Sequence, residues 1–104
     1  LSVITRPPKF FDIMHYVYIL QSKKDRKLYI GCTNDLRKRI ILHNSGKVVS
    51  TQIRKPFELI YYEAHNHKND AFGKEKFLKT GWGRNYIKRT LKYYLSTQVS
   101  QNKS

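Results

Sequence analysis

The sequence predicts an α/β (α+β) domain: a small three-stranded, antiparallel-type sheet flanked by helices in the order ββαβαα. Three observations carry that expectation. At 104 residues the chain holds one compact domain and not two. The run His15-Tyr16-Val17-Tyr18-Ile19-Leu20 is β-branched and aromatic, and apolar on both alternating faces, as suits a strand covered on two sides. Capping residues and helical spacing then mark three later segments as helices.

Taken in order, residues 1–13 carry Pro7-Pro8 and no leading Met. They lack the succession of charged head, apolar stretch and cleavage site that makes a secretory signal. They are expected to be an appendage outside the fold (an upstream extension or an expression remnant), with the domain spanning 14–95. After the first strand, Ser22 to Lys27 reads as a turn and Leu28-Tyr29-Ile30 as its hairpin partner. Thr33-Asn34-Asp35 offers N-caps for a helix to about Asn44 that Gly46 ends. Phe57 to Ala64 is the third strand, introduced by Pro56. Asn69 or Asp70 is expected to cap a second helix, which Gly81-Trp82-Gly83 breaks. Arg84 to Leu95 gives a third helix with Ile87 and Leu91 on its apolar stripe, and residues 96–104 a polar tail.

Charge narrows the function. Lys and Arg number 21 against 7 Asp and Glu, a formal +14 that points to a polyanion, with nucleic acid ahead of a membrane surface. No apolar run approaches the roughly 20 residues that span a bilayer, so a membrane protein is not expected. The single Cys32 excludes an internal disulfide framework and suits a reducing, cytoplasmic setting.

Several side chains can carry chemistry. Tyr16 and Tyr18 share a face of the first strand, and Tyr29 returns beside Tyr18 across the hairpin. Such phenols are either ordinary strand aromatics or groups that position or deprotonate a water. Gly31 is read as a tight turn into the first helix. Arg39 and His43 are spaced i, i+4 on that helix. They form a solvated basic face, or else a phosphate-binding fork with a proton donor or second phosphate contact. Glu75 falls on the stripe Ala71, Glu75, Leu78, where a carboxylate must be paired with Lys or Arg or hold a cation such as Mg²⁺. In a chain so poor in acids, one carboxylate for one metal is the affordable site. His65 and His67 lack a third ligand for zinc, and Cys32 is read as a small packed residue. Trp82 is read first as a loop anchor and second as a base-stacking platform. Arg37, Lys38, Lys47, Lys74, Lys79, Arg84 and Lys88 form the expected nucleic-acid face.

Tyr16-Val17-Tyr18 followed by Tyr29-Ile30-Gly31 resembles the two signature triplets of the GIY-YIG nuclease superfamily. Arg39 in Thr33-Asn34-Asp35-Leu36-Arg37-Lys38-Arg39 resembles its catalytic arginine, and Glu75 its metal-binding glutamate. His43-Asn44-Ser45-Gly46 is similar to a segment of the small stand-alone bacterial branch, the excinuclease C-subunit-like domain proteins. The resemblance implies hydrolysis of phosphodiesters, with DNA ahead of RNA, in repair or recombination and dependent on Mg²⁺ or Mn²⁺. It implies Tyr18 as general base, Tyr29 as its assistant, Arg39 at the transition state, Glu75 on the metal and His43 as an accessory group. Tyr16 departs from the family's Gly, and Asn85 is the uncertain counterpart of a late Asn. The alternative is a nucleic-acid-binding module with the same fold and little turnover.

Overall fold

β1 (His15–Ser22) lies between β2 (Leu28–Thr33) and β3 (Phe57–His65) and pairs antiparallel with both. The structure is a computed structural model that describes residues 14–103, with side chains described for 14–98. The expected appendage at 1–13 lies outside the described residues. As the central strand, β1 buries side chains on both faces, which explains why its sequence is apolar at every position from Val17 to Leu20. Val17 and Ile19 join Ala71, Leu78 and Ile87 on one face, and Tyr18 and Leu20 join Phe57 on the other. A bulge between Ile19 and Leu20 shifts the β3 register.

The hairpin turn is built on Ser22, which is fully buried. Its Oγ accepts from the backbone N–H groups of Lys24 and Asp25 at 3.0 and 3.1 Å, and donates to the Arg54 carbonyl at 2.6 Å. One hydroxyl therefore shapes the turn and pins the 3-10 turn Gln52–Arg54 beneath it.

α1 (Leu36–Asn44) starts where expected, because the Asp35 carboxylate accepts from the Lys38 N–H at 3.1 Å. Gly46 follows its end at φ 79°, the left-handed region glycine tolerates. α2 (Lys68–Leu78) is capped by His67, whose Nδ1 accepts from the Asn69 N–H at 3.0 Å. Asn69 and Asp70 instead lie within its first turn. The expected single last helix is two, α3 (Gly81–Thr90) and α4 (Lys92–Lys103), and α4 continues through the segment read as a tail.

Gly81-Trp82-Gly83 is not a break but the first turn of α3, capped by Thr80 Oγ1 accepting from the Gly83 N–H at 3.1 Å. Trp82 there is 79% exposed and anchors no loop. Gly83 is buried where α3 meets the end of α2, and a β-carbon on it would overlap the Phe77 carbonyl and the Leu78 backbone. α2 and α3 pack this closely because no side chain intervenes.

Two glycines in neighbouring helices should therefore respond oppositely to alanine. Gly83→Ala should destabilise the protein by about 1–3 kcal/mol in urea unfolding, because backbone must move to admit the methyl. Gly73→Ala, in α2 with nothing within 4 Å of its β-carbon, should stabilise by roughly 0.5–1 kcal/mol.

Candidate active site

The site is built around a buried phenol. Tyr18 projects from β1 with 1% of its surface exposed, opposite Gly31 of β2. A β-carbon at Gly31 would come within 2.5 Å of the Tyr18 hydroxyl oxygen. Gly31 is thus not the tight turn expected from the sequence: it lies inside β2, and its missing side chain is the space the phenol occupies.

A phenol so buried needs a partner for its O–H. Tyr18 Oη lies 2.9 Å from His43 Nε2, and His43 Nδ1 lies 2.9 Å from Thr51 Oγ1. His43 and Thr51 are both fully buried. Thr51 also donates to the Val48 carbonyl at 3.4 Å, so its oxygen is free to accept from Nδ1–H. Nε2 then accepts from the Tyr18 O–H, the assignment that satisfies every group. Burial, with the Arg39 charge beside it, lowers the His43 pKa to about 4, and the ring is neutral at pH 7. Burial likewise raises Tyr18 to about 12, although the Arg39 guanidinium pulls the other way.

Arg39 projects from α1 beside the phenols of Tyr18 and Tyr29, and contact with Tyr18 raises its own pKa. Among the described residues no carboxylate forms an ion pair with it. Tyr29 lies diagonally across the hairpin, its ring 6.3 Å from that of Tyr18 and 4.8 Å from His43. α1 is held over this cluster by Asn44, which accepts from the Phe57 N–H at 2.6 Å and donates to the Phe57 carbonyl at 3.2 Å.

Glu75 comes from α2, near enough for its charge to add to the burial that raises Tyr18 and Cys32. It is half-buried and paired with Lys79 at 2.9 Å, an i,i+4 contact whose lysine is 55% exposed. Such a pair is weak and yields easily to a stronger cation. Among the described residues no group of three or more His, Cys, Asp or Glu could hold a metal. A hard divalent ion that keeps most of its waters and takes phosphate oxygens fits a single carboxylate.

Tyr18, Tyr29, Arg39 and His43 come together, with Glu75 near enough for its charge to reach Tyr18, and His43 is sealed behind Tyr18, where it cannot touch a phosphate. Thr51 and Asn44 were not among the candidates, because their partners are 8 and 13 residues away with no local pattern between. Lys74 leaves the expected nucleic-acid face: its Nζ bonds Glu63 at 3.0 Å and lies 4.5 Å from the Tyr86 ring centre. Arg37, Lys38, Lys47, Lys79, Arg84 and Lys88 are exposed, as is Asn85 on α3. His65 Nε2 lies 2.6 Å from Glu63, and His67 Nδ1 caps α2. Cys32 is half-buried, and burial raises its thiol.

The family model described as the GIY-YIG catalytic domain matches residues 14–91. Over 71 residues the chain is 46% identical to a UPF0213 protein of Bacillus pumilus, covering 67% of this chain and 70% of that protein. It is 43% identical over 67 residues to a UPF0213 protein of Staphylococcus saprophyticus, covering 64% and 80% respectively. The solution NMR structure of a UPF0213 protein from Bacillus halodurans is 36% identical, covering 71% of this chain and 81% of that chain, with a TM-score of 0.45.

The buried imidazole makes stability depend on pH with a definite sign. His43 titrates near 4 when folded and near 6.5 when unfolded, so between those values the unfolded chain binds the extra proton. Stability should fall as pH drops from about 6.5, by up to roughly 3 kcal/mol at pH 4. Urea unfolding at pH 7, 6 and 5 should show that slope in the wild type and a flatter one in His43→Gln. An equally steep slope in the variant would assign the loss to other groups.

Proposed function

The chain belongs to the GIY-YIG catalytic-domain family, and from that premise we propose that it is a nuclease domain hydrolysing phosphodiester bonds, with DNA ahead of RNA as substrate. One observation carries the proposal: Arg39, free of any ion pair among the described residues, lies beside two phenols, one of them hydrogen-bonded to a neutral buried imidazole. A structural arginine is ordinarily matched by an acid. This one faces hydroxyls and is left to meet the non-bridging oxygens of a phosphate, where its planar fork stabilises the charge that grows during attack.

Tyr18 and His43 then act as one unit. A water arriving with substrate on the Arg39 side would have to reach the buried Tyr18 oxygen, which then takes its proton while the phenol's own proton passes along the 2.9 Å bond to His43 Nε2. In the free protein the Arg39 charge opposes a proton on His43. Burial is the larger cause and persists in the complex, and a phosphodiester bound to Arg39 offsets only the contribution of that charge. Thr51 keeps the imidazole proton on Nδ1 and leaves Nε2 able to receive. Tyr29 packs against the His43 ring and fixes its plane. Glu75 would hold a divalent ion, Mg²⁺ or Mn²⁺, which when bound neutralises charge on the phosphate and the leaving oxygen.

The second reading, a binding module with little turnover, has one observation in its favour. Lys79 already neutralises Glu75, which a protein without a metal would need. A panel of plasmid and oligonucleotide substrates with Mg²⁺, Mn²⁺ or EDTA separates the two readings, since a pure binder cuts nothing under any condition.

Two substitutions probe the residues directly. Arg39→Ala should lower turnover by about a hundredfold or more, as loss of one transition-state donor does. Arg37→Ala removes the same charge from the same helix, but on an exposed face away from the phenols, and should change turnover little. Equal losses in both variants would sink the role of position 39. Glu75→Ala should abolish metal-dependent cleavage while binding in EDTA stays the same or tightens slightly.

A further inference from the structure

The helical face of the sheet carries a groove that the reaction does not use. It runs between the outer side of β2 and helices α2, α3 and α4, with a volume of about 780 Å³, within the range of ligand-binding clefts. Its floor is aliphatic, with Leu28 and Ile30 from β2 and Leu95 from α4 half-buried there. Its rim is cationic: Lys27, Lys79, Arg84 and Lys88 are all exposed, and no acidic side chain among the described residues lines it. Two lining residues tie it to the candidate active site, Tyr29 of the phenol pair and Lys79 on Glu75.

That combination selects its occupant. Cations without acids suit a polyanion, and the shared residues Tyr29 and Lys79 place the groove next to the site at the β2 edge. A duplex keeps its base faces stacked inside and offers only phosphates, which have no use for an aliphatic floor. An unpaired nucleotide offers both a bare base face and flanking phosphates. We propose that this groove seats an unpaired nucleotide of the bound strand, its base on Leu28, Ile30 and Leu95 and its phosphates on the rim. The substrate class is then nucleic acid with a single-stranded or extruded segment beside the scissile bond. The inference rests on reading the site as one for phosphodiesters.

Fluorescence anisotropy in EDTA at fixed salt tests it, with a mixed-sequence single-stranded deoxyoligonucleotide and a chain of equal length made of abasic phosphodiesters. The wild type should bind the intact strand about tenfold or more tighter than the abasic one, the order expected when a base gains a face to pack on. Leu95→Glu, checked for folding by circular dichroism, should bring that ratio below about threefold by placing a carboxylate against the base. Trp82→Ala removes an exposed aromatic outside the groove and should leave the ratio intact. Arg84→Ala with Lys88→Ala should weaken both probes alike. Equal binding of the two probes by the wild type overturns the proposal whatever the variants do, as does collapse of the ratio in Trp82→Ala instead of Leu95→Glu. Displacement of the oligonucleotide by an acidic leucine-rich peptide at a lower concentration than by unlabelled oligonucleotide would assign the groove to a protein partner and also overturn it. Because these measurements need no turnover, an inactive protein that discriminates refutes the nuclease reading and leaves the groove standing. An active protein that does not discriminate does the reverse.

Discussion

A phenol hydroxyl taken out of water must be given another partner, and the requirement is severe for Tyr18, with 1% of its surface exposed. Leaving such a group unsatisfied costs about 1–3 kcal/mol. The protein meets that requirement with His43, and from this one bond much of the architecture follows. α1 must cross the sheet so that its last turn overlies β1, position 31 must have no side chain, and the chain after α1 must loop back to bring Thr51 to Nδ1. The Asn44 bonds to both backbone groups of Phe57 fix where that loop returns to the sheet. The same burial that makes the network structurally demanding lowers His43 to about 4 and raises Tyr18 to about 12. It leaves two neutral partners, with the shared proton held on the Tyr18 oxygen.

The distribution of acids is as informative as the excess of cations. With 7 acids in the chain, each described carboxylate that makes a contact has a distinct task. Asp25 pairs with Arg54 under the hairpin turn, Asp35 caps α1, and Glu63 gathers Tyr61, His65 and Lys74 against the far strand. Glu75 is the carboxylate beside the phenols, held by a weak surface pair. The remaining exposed cations on α1 and α3 lack acids in ion-pair contact with them among the described residues, which leaves a field directed at polyanions rather than at the protein itself.

The two faces of the sheet divide the labour. The α1 face carries the buried phenol and imidazole with Arg39, and the opposite face, covered by α2, α3 and α4, carries the aliphatic groove. Tyr29 belongs to both, because it stands on the edge strand where the faces meet. Gly83 makes the helical face possible by letting α3 lie against the end of α2.

The sequence by itself determined the elements whose signals are local. β1 reads as a central strand because every residue from Val17 to Leu20 is apolar, α1 because Asp35 caps it, and the hairpin because polar residues separate two apolar runs. Spacing and resemblance singled out Tyr18, Tyr29, Arg39, His43 and Glu75 as candidates, but not their arrangement. His43 on a basic helix is equally consistent with a solvent-facing phosphate contact, and packing alone turned it inward onto Tyr18. Gly31 and Gly83 read as turns because glycine is conformationally free, whereas each is required for the room its missing side chain leaves. Lys74 read as a free cation until β3 brought Glu63 beside it. Local propensity depends on neighbours a few residues away, and so is written along the chain. Hydrogen bonds spanning 25, 13 and 8 residues, and the steric room at a glycine, depend on which surfaces meet. Only the folded chain decides that.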